Sequence, residues 1–193
     1  MNTYTHKPVL LEEVITGLIT DKNGVYIDAT FGRGGHSEGL LHHLGEQAHF
    51  FAFDRDPEAI QSVSTALKND PRFTLTHAEF SRMQEYCETW DISGKVTGIL
   101  MDLGVSSPQL EAAERGFSFS KDGLLDMRMD TSKGLSARAW LAQVKERELA
   151  DVLWEFGEER FSRPIAKAII EARAKQPIIS GHRDHTPVAV DRQ

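Results

Sequence analysis

The sequence has little of what marks secreted and membrane proteins. Its 193 residues include one cysteine, Cys87, so no disulfide can form within the chain, as in a reducing cytosol. It has no long uncharged apolar run, which excludes a transmembrane helix, and residues 1–20 lack the pattern of a secretory signal. Hydrophobic residues make up 40% of the chain, which excludes a disordered protein as well. We therefore expect a globular, cytoplasmic protein.

The first half of the chain is also short of positive charge. Residues 1–110 hold 8 basic and 15 acidic side chains, whereas the remaining residues hold 14 of each. Nucleic-acid-binding proteins are usually basic. The net charge of −7 on its own therefore argues against an RNA-binding protein.

Strand and helix patterns alternate through this first half. Four short apolar runs predict strands, at residues 25–30, 49–54, 72–77 and 97–102. Helices are predicted from His36 and from Pro57 through Lys68. The alternation predicts an α/β fold with a doubly wound parallel sheet.

The second half has a different pattern. Residues 103–135 are predicted to be irregular, and helices are predicted over 136–144, 147–156 and 160–175, the first of them capped by Ser136. No fifth strand follows, although the fourth is apolar on both faces, as a strand with neighbours on each side would be. A doubly wound sheet extends further, so we expect part of this fold to be missing from the chain.

A glycine-rich loop follows the first strand. Gly32, Gly34 and Gly35 lie where a nucleotide cofactor usually binds, because glycines admit close approach and a helix start offers free N–H groups. A dinucleotide-binding motif needs a further glycine where this chain has Ser37. This difference weakens the nicotinamide interpretation. A tight turn that requires positive φ is the alternative.

Carboxylates end three of the predicted strands. Asp54, about 20 residues past the glycines, is placed to bind the ribose hydroxyls of an adenosyl group. Its alternative role is a helix cap, which Asp56 suits better. Asp28 and Asp102 are expected in the same crevice. A pocket this acidic suits the sulfonium of S-adenosylmethionine better than a pyrophosphate, which favours a methyl donor.

Seven segments together resemble one family, the bacterial 16S ribosomal RNA cytosine-N4 methyltransferases. They lie between residues 6 and 178 and read HKPVLLE (6–12), YIDATFGRGGHS (26–37), FDRDP (53–57), DLGVSSPQL (102–110), ERGFSF (114–119), LDMRMD (125–130) and GEERF (157–161). Only the glycine loop is generic, and the other segments are specific to the family.

The resemblance implies a Rossmann-like class I methyltransferase fold with an inserted helical domain. Residues 1–105 then form the cofactor-binding domain and residues 106–179 an RNA-recognising insertion. Residues 180–193 do not resemble the family's continuation, so the C-terminal part of the catalytic domain is expected to be missing. The resemblance assigns S-adenosyl-L-methionine binding to Gly34, Gly35, His36, Asp54, Phe80, Asp102 and Gln109.

The substrate that the resemblance implies is the exocyclic N4 of a decoding-region cytosine, cytosine 1402 of 16S ribosomal RNA. The partner is expected to be either naked RNA or the small ribosomal subunit, and the sequence does not decide between them. A homodimer is possible, and no membrane partner is expected. From the residues alone, Phe80 is expected either to stack on adenine or to pack in the core.

The chemistry of this transfer selects further candidates. The amine lone pair is delocalised into the ring, so the site must orient the amine and accept a hydrogen bond from it. Asp102, Ser106 and Ser107 are the catalytic candidates, with a capped polar turn as the alternative. Methylation at C5 would need a cysteine nucleophile near this loop. Cys87 is distant from it in sequence, so methylation on nitrogen is favoured.

RNA contact has its own candidates. Phe117 and Phe119 are expected to stack on an extruded base or to anchor the inserted domain. Arg160, Arg163 and Lys167 have the spacing of one helix face, which either binds phosphates or is ordinary solvated surface.

No metal site is expected. The adjacent histidines 42 and 43 point in different directions on a helix and have no carboxylate pair to complete a site. His182 and His185 lie in the anomalous tail.

Three functions therefore remain. The first is an RNA cytosine-N4 methyltransferase. The second is a truncated, non-catalytic remnant that retains at most cofactor binding. The third, a nicotinamide-dependent oxidoreductase, is disfavoured by Ser37 and by the segment 102–109.

Overall fold

The computed structural model describes residues 8–181. It contains two compact units, which divide between Gly104 and Val105. This division lies beside the predicted domain boundary, but the status of residues 106–179 as an insertion stays a prediction. His182, His185 and most of the predicted tail lie outside the described residues.

A four-stranded parallel sheet forms the centre of the first unit. Its strands are β1 (Val25–Asp28), β2 (His49–Asp54), β3 (Phe73–His77) and β4 (Val96–Leu100). They lie in the order β3-β2-β1-β4, and all three pairings are parallel. Parallel neighbours need crossover connections. The predicted doubly wound, Rossmann-like sheet is thus confirmed.

Helices cover both faces of this sheet. They are α1 (Leu11–Leu18), α2 (Gly35–His43), α3 (Pro57–Gln61), α4 (Thr65–Asn69) and α5 (Met83–Thr89). Successive side chains of a strand point to opposite faces, so Tyr26 packs in one apolar cluster and Ile27 in the other. Cys87 of α5 is buried in the second cluster, where burial raises the pKa of its thiol.

The prediction of one continuous helix from Pro57 through Lys68 is wrong, because the chain forms two short helices there. Ser62 donates its hydroxyl to the Ala59 carbonyl at 2.8 Å and ends α3. Ser64 is extended and caps α4 by accepting from the Leu67 N–H at 3.2 Å. Serine side chains compete with the helix for backbone hydrogen bonds, which explains the break.

Strand β4 pairs with β1 alone among residues 8–181. Ile99 is 44% exposed and Met101, just past the strand, is 46% exposed. The neighbour that the sequence predicts on the far side of β4 is therefore not found in the described part of the chain.

The second unit is mainly helical. Its helices are α6 (Ser107–Glu111), α7 (Ala137–Leu141), α8 (Glu146–Glu155) and α9 (Ser162–Lys175). Its core includes Leu149 of α8 and Ala166 of α9. Ser136 caps α7 by accepting from the Ala139 N–H, as predicted. None of the helices within residues 8–181 has the length and apolar character needed to cross a bilayer.

The last helix starts later than predicted. It begins at Ser162, so Arg160 lies outside it. Proline lacks an N–H and its ring clashes with the carbonyl four residues earlier, so it fits only the first turn of a helix. Pro164 therefore places the start of α9 after Arg160.

Candidate functional site

The glycine loop joins β1 to α2 through two left-handed glycines. Gly32 has φ +57° and Gly34 has φ +81°, with Gly34 as the residue that precedes the helix. The Phe31 N–H donates to the Phe53 carbonyl of β2 at 2.8 Å. The loop is a tight turn, as the alternative interpretation required, and it also presents the start of α2 at the carboxyl end of the sheet.

Asp28 supports this loop from below. Its side chain is 1% exposed, and its two oxygens accept from the Thr30 N–H at 3.0 Å and the Ser37 hydroxyl at 2.7 Å. Burial is the main cause that raises the pKa of Asp28. The expectation that Asp28 lines an accessible acidic pocket is wrong, because its carboxyl is enclosed. Ser37, in the position of the missing glycine, ties the first turn of α2 to β1.

The raised pKa of Asp28 predicts a pH-dependent stability difference. A carboxyl whose folded pKa is raised stabilises the fold most when it is protonated, and this contribution is lost as pH rises through the folded pKa. The wild-type chain is thus expected to lose stability relative to Asp28→Asn as pH rises from about 4, near the ordinary pKa of an Asp carboxyl, toward neutral pH. Denaturant titrations followed by circular dichroism across this range measure the difference.

Asp130 provides the matched control for this experiment. Hydrogen bonding from Ser132 lowers the pKa of Asp130 to about 2. With the titrations extended to lower pH, the wild-type chain should therefore gain stability relative to Asp130→Asn as pH rises from about 2 to about 4, which is the opposite slope in a lower pH window. Parallel stability curves for wild type and Asp28→Asn would contradict the prediction.

Asp54, at the end of β2, reaches into the glycine loop. Its oxygens accept from the Gly32 N–H and the Asp56 N–H, both at 2.8 Å. Burial is the main cause that raises the pKa of Asp54. The helix cap is Asp56, which accepts from the Glu58 N–H at 2.9 Å. A carboxylate has about four acceptor positions, so Asp54 keeps capacity for further donors such as hydroxyls.

Asp102 follows β4 at the same edge. Its N–H donates to Thr30 Oγ1 at 2.8 Å, and its carboxylate lies 3.8 Å from His36 Nδ1. The Asp102 side chain is 60% exposed. His36 Nε2 lies 2.9 Å from the Val9 carbonyl, and a carbonyl only accepts, so Nε2 carries the proton. His36 thus lies between the segment before α1 and the end of β4.

Phe80 lies in a short 3-10 helix (Phe80–Arg82) that follows β3, and its ring is 41% exposed. It is not the fully buried core residue that one interpretation expected. The carboxyl ends of parallel strands are where open α/β sheets bind ligands. The first unit brings most of the predicted cofactor residues to or near that edge: Gly34, Gly35, His36, Asp54, Phe80 and Asp102.

The other predicted site residues belong to the second unit. Ser106 and Gln109 form a capping box at the start of α6, in which Gln109 Oε1 accepts from the Ser106 N–H at 2.9 Å. Gln109 is 6% exposed, and Ser107 is the first residue of the helix. These side chains thus have a local structural role in addition to the roles predicted for them.

The predicted RNA-binding residues also lie in the second unit. Phe119 is 98% exposed, whereas Phe117 is partly buried. Arg160, Arg163 and Lys167 are all exposed, but Arg160 is outside α9 and does not share a helix face with the other two. Lys167 lies 3.9 Å from Glu171.

Sequence reasoning missed the two hydroxyls that organise this edge, those of Thr30 and Ser37. Ser37 donates its hydroxyl to Asp28, and Thr30 accepts from the Asp102 N–H. In the sequence, only their presence in the segment 26–37 pointed to either residue. Within residues 8–181, no group of three or more His, Cys, Asp or Glu side chains is arranged to hold a metal ion.

Comparison with known proteins gives close relatives. Ribosomal RNA small subunit methyltransferase H of Hydrogenovibrio crunogenus is 56% identical over 173 residues, covering 90% of this chain and 55% of the relative. The protein of the same name from Alteromonas mediterranea is 53% identical over 177 residues, covering 92% of this chain and 56% of the relative. The chain therefore spans about half the length of the curated relatives it matches.

A solved rRNA methylase from Streptococcus thermophilus is 19% identical to this chain, and the match covers 66% of this chain and 77% of the solved one, with a TM-score of 0.40. The sequence match to a family is far more extensive. Residues 3–184 match the profile of the MraW methylase family, and the chain belongs to that family.

Proposed function

We propose that this chain binds S-adenosylmethionine and takes part in methylating the exocyclic N4 of a decoding-region cytosine in 16S ribosomal RNA. The observation that carries the proposal is the acidic edge of the first unit, where Asp54 and Asp102 flank the glycine loop. A substrate of this kind would place the protein in the cytoplasm, with the small ribosomal subunit as partner. A homodimer stays a prediction.

The residues at this edge suit the cofactor chemically. Burial raises the pKa of Asp54, so its charged form gains from additional hydrogen-bond donors, and ribose hydroxyls supply them. The exposed carboxylate of Asp102 favours a cation nearby. S-adenosylmethionine supplies a methyl group on a sulfonium, an electrophile that a neutral amine can attack. Phe80 offers a partly exposed ring at the same edge.

The target amine needs help because its lone pair is delocalised. We assign the acceptor for its N–H to Asp102, with Ser106 and Ser107 as the polar groups that complete the catalytic set. Asp102 is suited to this work because its carboxylate is largely exposed while its backbone is held at the end of the sheet.

RNA recognition is assigned to the second unit, which we propose is the inserted helical domain. The exposed Phe119 suits stacking with an unpaired base, and Phe117 lies two residues before it in sequence. Exposed Arg160, Arg163 and Lys167 offer charges for phosphates. Gln109, although it caps α6, keeps its predicted role toward the cofactor within this proposal.

Two measurements test the proposal. Calorimetry with S-adenosylmethionine and with NAD separates a methyl-donor site from a nicotinamide site. Incubation with labelled methyl donor and small ribosomal subunits then tests transfer, with label expected at cytosine N4. Cofactor binding without transfer would identify a non-catalytic remnant, and NAD binding alone would overturn the proposal.

Charge reversal tests the RNA surface separately. Arg160→Glu with Arg163→Glu is expected to weaken RNA affinity by at least about tenfold and to flatten its salt dependence, because phosphate contacts release counterions. Arg147→Glu is the control, since Arg147 is 94% exposed on α8 of the same unit. RNA affinity is measured by filter binding at several salt concentrations. If the double replacement and the control weaken binding equally, Arg160 and Arg163 are ordinary surface charges and form no RNA-binding surface.

A further inference from the structure

Two threonines tie β1 to β4, one within the amino end of the paired strands and one beyond their carboxyl end. At the amino end, Thr97 Oγ1 accepts from the Val25 N–H at 3.1 Å. At the carboxyl end, Thr30 Oγ1 accepts from the Asp102 N–H at 2.8 Å. The residue types and the kind of bond are the same, but only the second bond lies at the acidic edge.

Asp102 depends on this bond because it lies past the regular ladder. The Ala29 N–H donates to the Leu100 carbonyl at 2.9 Å, and β4 ends at Leu100. The Thr30 hydroxyl therefore extends the pairing of the two chain segments to residue 102. The Asp102 side chain is 60% exposed, so packing contributes little to its position, and its carboxylate is 3.8 Å from the His36 ring.

We propose that Thr30 is a positioning residue for Asp102. This inference rests on the proposed function, since it concerns the edge assigned to S-adenosylmethionine and the target amine. The hydroxyl fixes the backbone of Asp102 and so fixes the direction in which the carboxylate leaves the sheet. The Asp102 carboxylate must lie at defined distances from a cation and from an amine N–H. If its backbone is free to move, it binds the cofactor and orients the amine less well.

The test uses the full chain with three replacements. Thr30→Val keeps the shape and removes the acceptor, Thr30→Ser keeps the acceptor, and Thr97→Val removes the equivalent bond at the opposite end of the same strand pair. The affinity for S-adenosylmethionine is measured by calorimetry and the thermal midpoint by circular dichroism. We expect Thr30→Val to weaken cofactor affinity by about tenfold, and Thr30→Ser and Thr97→Val to change it by less than about twofold.

A double replacement tests whether Thr30 acts through Asp102. If it does, adding Thr30→Val to Asp102→Ala should change affinity no further, because coupled residues are not additive. Equal losses of affinity in Thr30→Val and Thr97→Val, or full additivity in the double variant, would overturn the inference and leave the proposed function standing. A wild-type chain without measurable affinity would overturn both.

Discussion

Asp102→Ala is expected to abolish methyl transfer while the fold persists. The side chain is 60% exposed and its backbone bond to Thr30 is retained in the variant, so little stability depends on the carboxylate. Loss of a hydrogen-bond acceptor for the reacting amine costs about 10² to 10⁴ in rate. Loss of a negative charge beside a cationic ligand also lowers affinity.

Labelled methyl incorporation and cofactor calorimetry measure these two effects together. The control is Asp151→Ala on α8, which removes a carboxylate of similar exposure, 68%, from the other unit. Asp102→Asn separates charge from shape. Transfer by Asp102→Ala at a rate close to wild type would remove Asp102 from the catalytic set.

Gly34→Ala is expected to destabilise the fold of the first unit strongly. Gly34 has φ +81°, and a Cβ there would lie 2.8 Å from Phe31 Cζ and 3.1 Å from Leu67 Cδ1. Phe31 is 3% exposed and Leu67 is 4% exposed, so neither can move freely. Strain and overpacking together predict a loss of about 2–4 kcal/mol in the free energy of unfolding.

Gly94→Ala separates the cost of the left-handed backbone from the cost of overpacking. Gly94 also has a left-handed backbone, with φ +73°, but a Cβ there would meet nothing within 4 Å. This control should therefore lose only about 1 kcal/mol, the cost of the conformation alone. Equal losses in the two variants, measured by denaturant titration, would show that contact with Phe31 does not matter. Gly34→Ala should also weaken cofactor binding, because the loop shifts.

The sheet was predictable because local patterns determine it. Buried runs such as His49–Asp54 have the length and composition of parallel strands, and turn signals bound them. The break between α3 and α4 was missed, since hydroxyl competition from Ser62 and Ser64 is weaker than the apolar periodicity around it. Pro164 did carry the signal that excludes Arg160 from α9, and its position in the first turn could have been recognised.

The candidate site was predictable in its members and less so in its geometry. The motif and the strand ends identify Asp54 and Asp102, but the inward direction of Asp28 depends on a bond to Ser37 that periodicity does not reveal. The contact between Thr30 and Asp102 joins residues 72 positions apart. It exists only because β4 docks beside β1, which is a property of the folded sheet.

The strand order also bears on how the acidic edge is assembled. β1, β2 and β3 pair in sequence order, whereas β4 returns to β1 across a separation of 72 residues. Closing a longer loop costs more chain entropy, and β4 gains pairing on one side only within residues 8–181. Strand β3 also pairs on one side only, but its partner β2 is near in sequence, so we expect β4 to be the strand that docks last and opens most easily. Asp102 joins Asp54 at the loop in that final step, so excursions of one edge strand dismantle the acidic edge while the other three strands stay paired.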